Sequence, residues 1–221
     1  MDEIAILIRF HDIKPYNCKR NELLSSVFEE FKKNSGKLYS KFLFIYNSTI
    51  LDQNKTLKEY NILQGDIINA LECENVLGGG LPINFTDVSK NIYIEQKFSK
   101  KVPDYKIASK GINVIGICKG RGCKAYNQAV ICPLKEKKKF NLIEEKDDLE
   151  CPKCRNLMIP KTLGFYSCEY KIKGKKYEKD NITSFELEDK AIKKDSIKYF
   201  DPEKNGNTII IELIVEVINF L

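Results

Sequence analysis

Four cysteines in two close pairs are the residues of this chain best placed to do chemistry. They read Cys118-Lys119-Gly120-Arg121-Gly122-Cys123 and Cys151-Pro152-Lys153-Cys154, with 27 residues between the pairs. Two thiol pairs, each closed by a tight turn, supply the four thiolates of a tetrahedral Zn²⁺ and leave no coordination position open. Gly120 and Gly122 are expected to provide positive φ in the first turn, and Pro152 to stiffen the second. Lys119, Arg121, Lys124, Lys153 and Arg155 flank the pairs, so their charge offsets the net −2 of a four-thiolate zinc centre. The chemistry expected is structural, with one Zn²⁺ contributing to the fold. The blander reading is four buried thiols; two close pairs in a reduced chain favour the metal.

Other chemistries find little to work with. His11 is the only histidine and falls at a strand-to-turn corner, so neither Cys–His nor Ser–His catalysis has a base near the other cysteines. No glycine loop that would cradle a phosphate is present. Cys132 and Cys168 read as small core residues, although either could replace one of the four ligands. Two close pairs are too few for a two-zinc cross-brace of the RING type. The stretch from Asp201 to Asn207, with Glu212 twelfth, matches a calcium loop at positions 1, 5, 6 and 12. Glu203 at position 3 and the isoleucines 209–211 favour instead an Asp-Pro and Asn-Gly turn leading into a last buried element. The expectation is a protein that is not an enzyme.

The chain has 221 residues, enough for one large or two small domains. Hydrophobic residues make up 43% and charged residues 31%, ordinary globular values that exclude wholesale disorder. Eight cysteines behind an acidic start, Met1-Asp2-Glu3, point to a reducing compartment, cytoplasmic or nuclear. The longest apolar run, 209–221, is short and carries Glu212 and Glu216, so no membrane partner is expected. The net charge of +6 is uneven: residues 1–77 hold 10 basic and 11 acidic residues, and the remainder holds 27 and 20. The basic excess lies in the second part, where 135–139 and 171–176 could meet nucleic acid or form a solvated lysine face.

The elements that must hold these residues divide into two modules. In residues 1–77, apolar runs at 4–10, 14–18, 43–46 and 67–71 predict strands. Between the second and third, Leu23, Leu24, Val27, Phe28 and Phe31 recur at helical spacing, with Asn21 as the expected N-cap and Gly36 closing the C-terminus. The order β-β-α-β-β is a sheet gripping one helix. Pro82 and the preceding glycines mark a linker over 78–84. Residues 85–221 predict a mainly β, zinc-ribbon-like module, with strands at 112–118, 129–132, 140–143 and 165–172 and a hairpin turn at Lys173-Gly174-Lys175.

The first module resembles the ubiquitin-like family. The residues that carry the resemblance are Phe42-Leu43-Phe44-Ile45-Tyr46, Thr56-Leu57-Lys58-Glu59-Tyr60-Asn61-Ile62, Gly65-Asp66 with the strand after it, and Leu77-Gly78-Gly79-Gly80. The resemblance covers about the first third of the chain. It implies a β-grasp domain, an α+β fold in which a short 3₁₀ segment precedes the last strand. It also implies a partner-binding apolar patch on the sheet, at Ile45 and Leu71 with Asn69 beside them. Gly78, Gly79 and Gly80 stand where family modifiers are processed and conjugated, but here about 140 residues follow, and glycines suit a hinge equally. The expected function is a ubiquitin-like, zinc-binding adaptor for protein partners of the ubiquitin pathway. The alternatives are a precursor cleaved after Gly80 and a basic zinc protein associated with RNA or ribosomes.

Overall fold

The computed structural model describes residues 3–38, 40–47, 49–72, 82–99, 101–178 and 181–221. The chain forms two compact units, Met1–Gly79 and Gly80–Leu221, so the division falls inside the glycine run.

Unit 1 holds β1 (Glu3–Arg9), β2 (Ile13–Lys19), α1 (Leu24–Asn34), β3 (Phe42–Tyr46), β4 (Thr49–Ile50) and β5 (Ile67–Glu72). The sheet order is β2-β1-β5-β3-β4, with β1 and β5 parallel at its centre. This is the β-grasp strand order. Leu24, Val27, Phe28 and Phe31 of α1 are buried. Phe28 stacks on Phe44 at 3.6 Å, and Phe31 meets Phe42 and Phe44 edge-on at 5.1 and 5.3 Å. The helix start departs from expectation. Its N-cap is Leu23, without a side-chain cap, rather than Asn21. The carbonyls of Lys55 and Gln53 accept the Leu24 and Ser25 N–H groups at 2.8 and 2.9 Å and do the capping instead. Residues 56–62 form a turn rather than a 3₁₀ helix. Thr56 and Glu59 close it reciprocally, and Leu57 and Ile62 are buried beneath.

Unit 2 is mainly β, as expected, but larger than a zinc ribbon. Its strands are β6 (Ile83–Thr86), β7 (Tyr93–Lys97), β8 (Gly111–Cys118), β9 (Ala129–Pro133), β10 (Lys139–Asn141), β11 (Met158–Tyr166), β12 (Cys168–Glu178), β13 (Asn181–Ala191), β14 (Ser196–Phe200) and β15 (Asn207–Phe220), with short helices α2 (Leu142–Glu145) and α3 (Pro202–Asn205). One sheet runs β10-β15-β12-β13, with β6 also paired to β15; the other runs β7-β14-β11-β8-β9. A single core takes Phe165, Val114 and Phe200 from one sheet and Tyr170, Leu213 and Val215 from the other, and Phe165 stacks on Tyr170 at 3.5 Å.

Two sequence expectations fail here for physical reasons. The segment 140–143 leaves its strand at Asn141, whose side chain accepts the Ile143 N–H and starts α2. Lys173-Gly174-Lys175 is no turn but the middle of β12. A Cβ at Gly174 would meet the Phe185 ring at 2.5 Å and the Glu212 carbonyl at 2.7 Å, so the glycine serves close strand packing.

Candidate metal centre

The paired strands β8 and β11 bring the two cysteine turns together. Cys118 ends β8 opposite Met158, which opens β11, so the turn after β8 and the turn before β11 share one end of the sheet. The Sγ atoms of Cys118, Cys123, Cys151 and Cys154 all lie within 4.8 Å of one another, and Cys118 and Cys154 are 3.7 Å apart. A tetrahedral ion with metal–sulfur bonds of about 2.3 Å requires sulfur–sulfur edges of about 3.8 Å. The four thiols are free, and the 3.7 Å separation is far too long for a disulfide. The donor set therefore fits a four-coordinate metal ion with a closed shell.

Each turn is built to aim its sulfurs. In the first, the Cys123 N–H donates to the Gly120 carbonyl at 3.1 Å, and the Ala125 N–H donates to Cys123 Sγ at 3.3 Å. The Cys118 N–H donates to the Gln128 carbonyl, and the Asn127 N–H returns to the Cys118 carbonyl, closing the loop onto β9. In the second, the Cys151 N–H donates to the Asn156 carbonyl and the Arg155 N–H to the Cys151 carbonyl, both at 2.8 Å. The two glycines differ in role from the sequence expectation. Gly122 does adopt positive φ (+86°), whereas Gly120 is present for space: a Cβ there would sit 2.7 Å from Asn156 Nδ2 and 2.8 Å from Cys154 Sγ. Arg155, with φ of +56°, takes the left-handed position in the second turn.

Burial and hydrogen bonding make the thiols unequal. Cys118 and Cys151 are buried, while Cys123 and Cys154 are half-buried. Burial pushes the Cys118 thiol up to about 12. The Asn156 side chain, helped by its backbone N–H, favours the Cys154 thiolate and lowers that group to about 6. Asn156 is thus a supporting residue that sequence reasoning missed; its only signal is a polar side chain two places after the last cysteine. Lys153 is held by Asp104 at 2.6 Å and Lys119 by Asn127 at 2.8 Å, so two of the flanking cations are fixed around the sulfurs.

The remaining expected sites are distributed as follows. Cys168 is buried in the core of unit 2 and Cys132 is half-buried against it, both outside the cluster. Ile45 stands opposite Asn69 across β3 and β5, and Leu43 opposite Leu71. Their neighbours Phe44, Ile68 and Ala70 belong to the helix-side core, so Ile45, Asn69 and Leu71 share the other face of the sheet. Ile45 is only 1% exposed, and Asn69 and Leu71 are half-buried. Gly78, Gly79 and Gly80 lie outside the described residues. His11 is exposed beside Phe10. Asp201 caps α3 by accepting from the Glu203 and Lys204 N–H groups, and Glu212 pairs with Lys175 at 3.3 Å, so the 201–212 stretch is the expected turn and strand.

Among the described residues, most lysines of the two runs, though not Lys135 or Lys138, are paired within the fold. Lys171 and Lys173 share Glu186 at 2.5 and 3.7 Å. Lys176 is buried between Asp87 and Glu178, at 2.9 Å from each. Lys137 pairs with Glu145, and Lys139 with Glu216 at 3.2 Å. No described helix is long and apolar enough to cross a membrane.

No protein-family model matches the chain, and no curated protein matches it. Among solved structures it is similar to a designed protein based on ubiquitin, at 24% identity over 35% of this chain and 96% of the other, with a TM-score of 0.31. It is also similar to the N-terminal ubiquitin-like domain of the 4931431F19Rik protein, at 16% identity over 32% of this chain and 74% of that one, with a TM-score of 0.28. A chain of a pParkin–pUb–UbcH7 complex is similar at 13% identity over 82% of this chain and 62% of that one, with a TM-score of 0.30. The β-grasp order of unit 1 is seen directly in the pairing of its own strands.

Proposed function

We propose that this protein is a non-enzymatic adaptor whose second unit is stabilised by one structural Zn²⁺. The observation that supports the reading is the closed four-sulfur site. With four thiolates on one ion there is no open position for water or substrate, so the metal's contribution is to clamp the end of β8 to the start of β11. Zinc is the ion whose tetrahedral all-thiolate preference this donor set meets. Unit 1 then offers its sheet face, through Asn69 and Leu71 with Ile45 behind them, to protein partners of the ubiquitin pathway. Nucleic acid is a weaker partner, because most of the lysines that would meet phosphates are engaged in ion pairs.

The test is capture of ubiquitin-pathway proteins from a eukaryotic lysate by the zinc-loaded full chain, compared with the double variant N69R/L71R. The reading expects the double variant to lose capture while its zinc content is unchanged. It also expects the intact 25.5 kDa chain to persist in the lysate. Undiminished capture overturns the adaptor surface, and a break after Gly80 supports a processed precursor instead.

A further inference from the structure

Residues 101–110, the last part of the connection from β7 to β8, form a strap beside the β7-β14-β11-β8-β9 sheet. Val102, Ile107 and Ala108 of the strap line a groove of about 930 Å³ together with Ile115, Ile117 and Ile131 of β8 and β9. The strap adds little to the core. None of its residues is buried, and only Tyr105, Ala108 and Ser109 are half-buried. Among the described residues, the backbone of 101–108 bonds only locally: the Lys101 N–H donates to Ser99 Oγ at 3.4 Å, and the Lys106 N–H to the Pro103 carbonyl at 2.9 Å. A segment with so little buried apolar surface and no ladder bonds sits at the low end of local stability.

What holds the strap differs along its length. Its C-terminal end is fixed to β8, where the buried Asn113 side chain accepts the Ser109 N–H at 2.9 Å and donates to the Ser109 carbonyl at 2.8 Å. Its middle has two polar anchors among the described residues, and both are side chains of the cysteine turns. Asp104 pairs at 2.6 Å with Lys153, which lies between Cys151 and Cys154. The Tyr105 hydroxyl donates to Gln128 Oε1 at 3.1 Å. Gln128 belongs to the first turn, because its carbonyl accepts the Cys118 N–H at 3.2 Å and its Nε2 donates to the Lys124 carbonyl at 3.0 Å. One anchor therefore stands on each turn, and the turns converge at the four sulfurs.

An exposed ion pair and one neutral hydrogen bond are each weak, and together they shift a local equilibrium by about tenfold. They deliver that only while both turns keep their places, since each anchor needs its partner held at a fixed distance from the strap. A four-thiolate ion ties the two turns to one point and so fixes both partners at once. Once the ion leaves, the turns lose their common tie and the strap's middle loses its footing, whereas the Ser109–Asn113 bonds and the sheet behind them do not depend on the metal. We propose that the metal centre gates this strap: bound metal holds 101–108 closed along the groove, and loss of the metal frees it and uncovers Ile115, Ile117 and Ile131. The proposal rests on the Zn²⁺ reading given above.

The test is limited trypsin digestion of the full chain, zinc-loaded and chelator-stripped, with cut sites and zinc content read by mass spectrometry. Cleavage after Lys101 and Lys106 reports the open strap, because proteolysis follows the open population when opening is fast. Stripping the zinc should speed these cuts about tenfold, while Lys171 and Lys175 in β12 stay uncut. The variant D104A/Y105F removes both anchors and leaves the cysteines and the sheet untouched. It should be cut about tenfold faster than the parent with zinc bound, and stripping should then add less than about twofold. Strap cuts at equal rates with and without zinc overturn the proposal, as does zinc-loaded D104A/Y105F protein cut no faster than the parent. A further tenfold gain on stripping the variant overturns the assignment to these two anchors. Cuts in β12 that keep pace with those in the strap show unit 2 unfolding as a whole and overturn the gate. A chain that binds no zinc overturns the metal reading and the proposal together, whereas a zinc-loaded chain whose strap ignores stripping overturns the proposal alone.

Discussion

Gly120 carries no side chain because Cys154 and Asn156 occupy the space one would need, and this makes Gly120→Ala a sharp test of the metal centre. The added methyl carbon would lie 2.8 Å from Cys154 Sγ and 2.7 Å from Asn156 Nδ2. A comfortable carbon–sulfur contact is close to the upper end of the roughly 3.5–4.0 Å optimum, so about 1 Å of relief is needed. A thiolate site tolerates deviations of about 0.2 Å in its metal–ligand distances. Relief must therefore come from the turn moving away, which also disturbs the Asn156 bonds to Cys154. Loss of such supporting contacts costs about 10- to 100-fold in metal affinity, or roughly 1.4–2.7 kcal/mol. The assay is competition for zinc against a chromophoric chelator, run beside thermal melts of metal-loaded and metal-free protein. The expected result is a 10- to 100-fold weaker affinity and a lowered melting temperature for the loaded form only. Gly122→Ala is the control. Its Cβ meets nothing within 4 Å, so only the strain of φ +86° remains, about 1 kcal/mol. Gly120→Ala protein that holds zinc as tightly as the parent would refute the packing argument and the site geometry with it.

Three further outcomes follow from buried groups. Asp87→Ala leaves Lys176 with Glu178 alone in a buried position, and urea titration should show a loss of about 3 kcal/mol, whereas the double change D87A/K176M should recover most of it. Gly174→Val drives a branched side chain into Phe185 and the Glu212 carbonyl, so soluble yield of unit 2 should collapse while the far-UV signature of unit 1 persists. In chelator-treated protein at pH 7.4, Cys154 should react first with a disulfide reagent, because Asn156 lowers it to about 6 and it is half-exposed. Cys18 and Cys168, raised to about 11 by burial, should stay silent. Both buried thiols have raised values, so the stability they confer is present below the ordinary thiol range and lost as pH climbs towards 11. Early labelling of Cys168 contradicts the core placement.

What the sequence made legible depended on how local each signal was. The cysteine turns, the amphipathic α1 and the element order of unit 1 are written in short-range spacing, and the fold returns them with one further short strand, β4. The helix cap was misread because two carbonyls from a distant turn, those of Gln53 and Lys55, replace the side chain that Asn21 suggested. Gly174 looked like a turn residue because lysines flank it; only the neighbouring strands reveal that Phe185 and Glu212 need the space. The lysine runs left a nucleic-acid surface and a solvated face both open because their acidic partners, Glu186, Glu216 and Asp87, are brought beside them only by the fold. Asn156 and the Asp104–Lys153 tie were invisible for the same reason: each acts through a contact that the two turns create by meeting. The zinc-ribbon expectation underestimated unit 2, whose long strands β12 and β13 alternate apolar with polar or charged residues and so read weakly as sequence.

The central claim is most directly tested by mass spectrometry of the purified full chain under native and denaturing conditions. The account predicts one zinc per chain in the native spectrum, released on denaturation and missing from the double variant C118S/C151S. A metal-free native chain, or zinc retained by that variant, would contradict it.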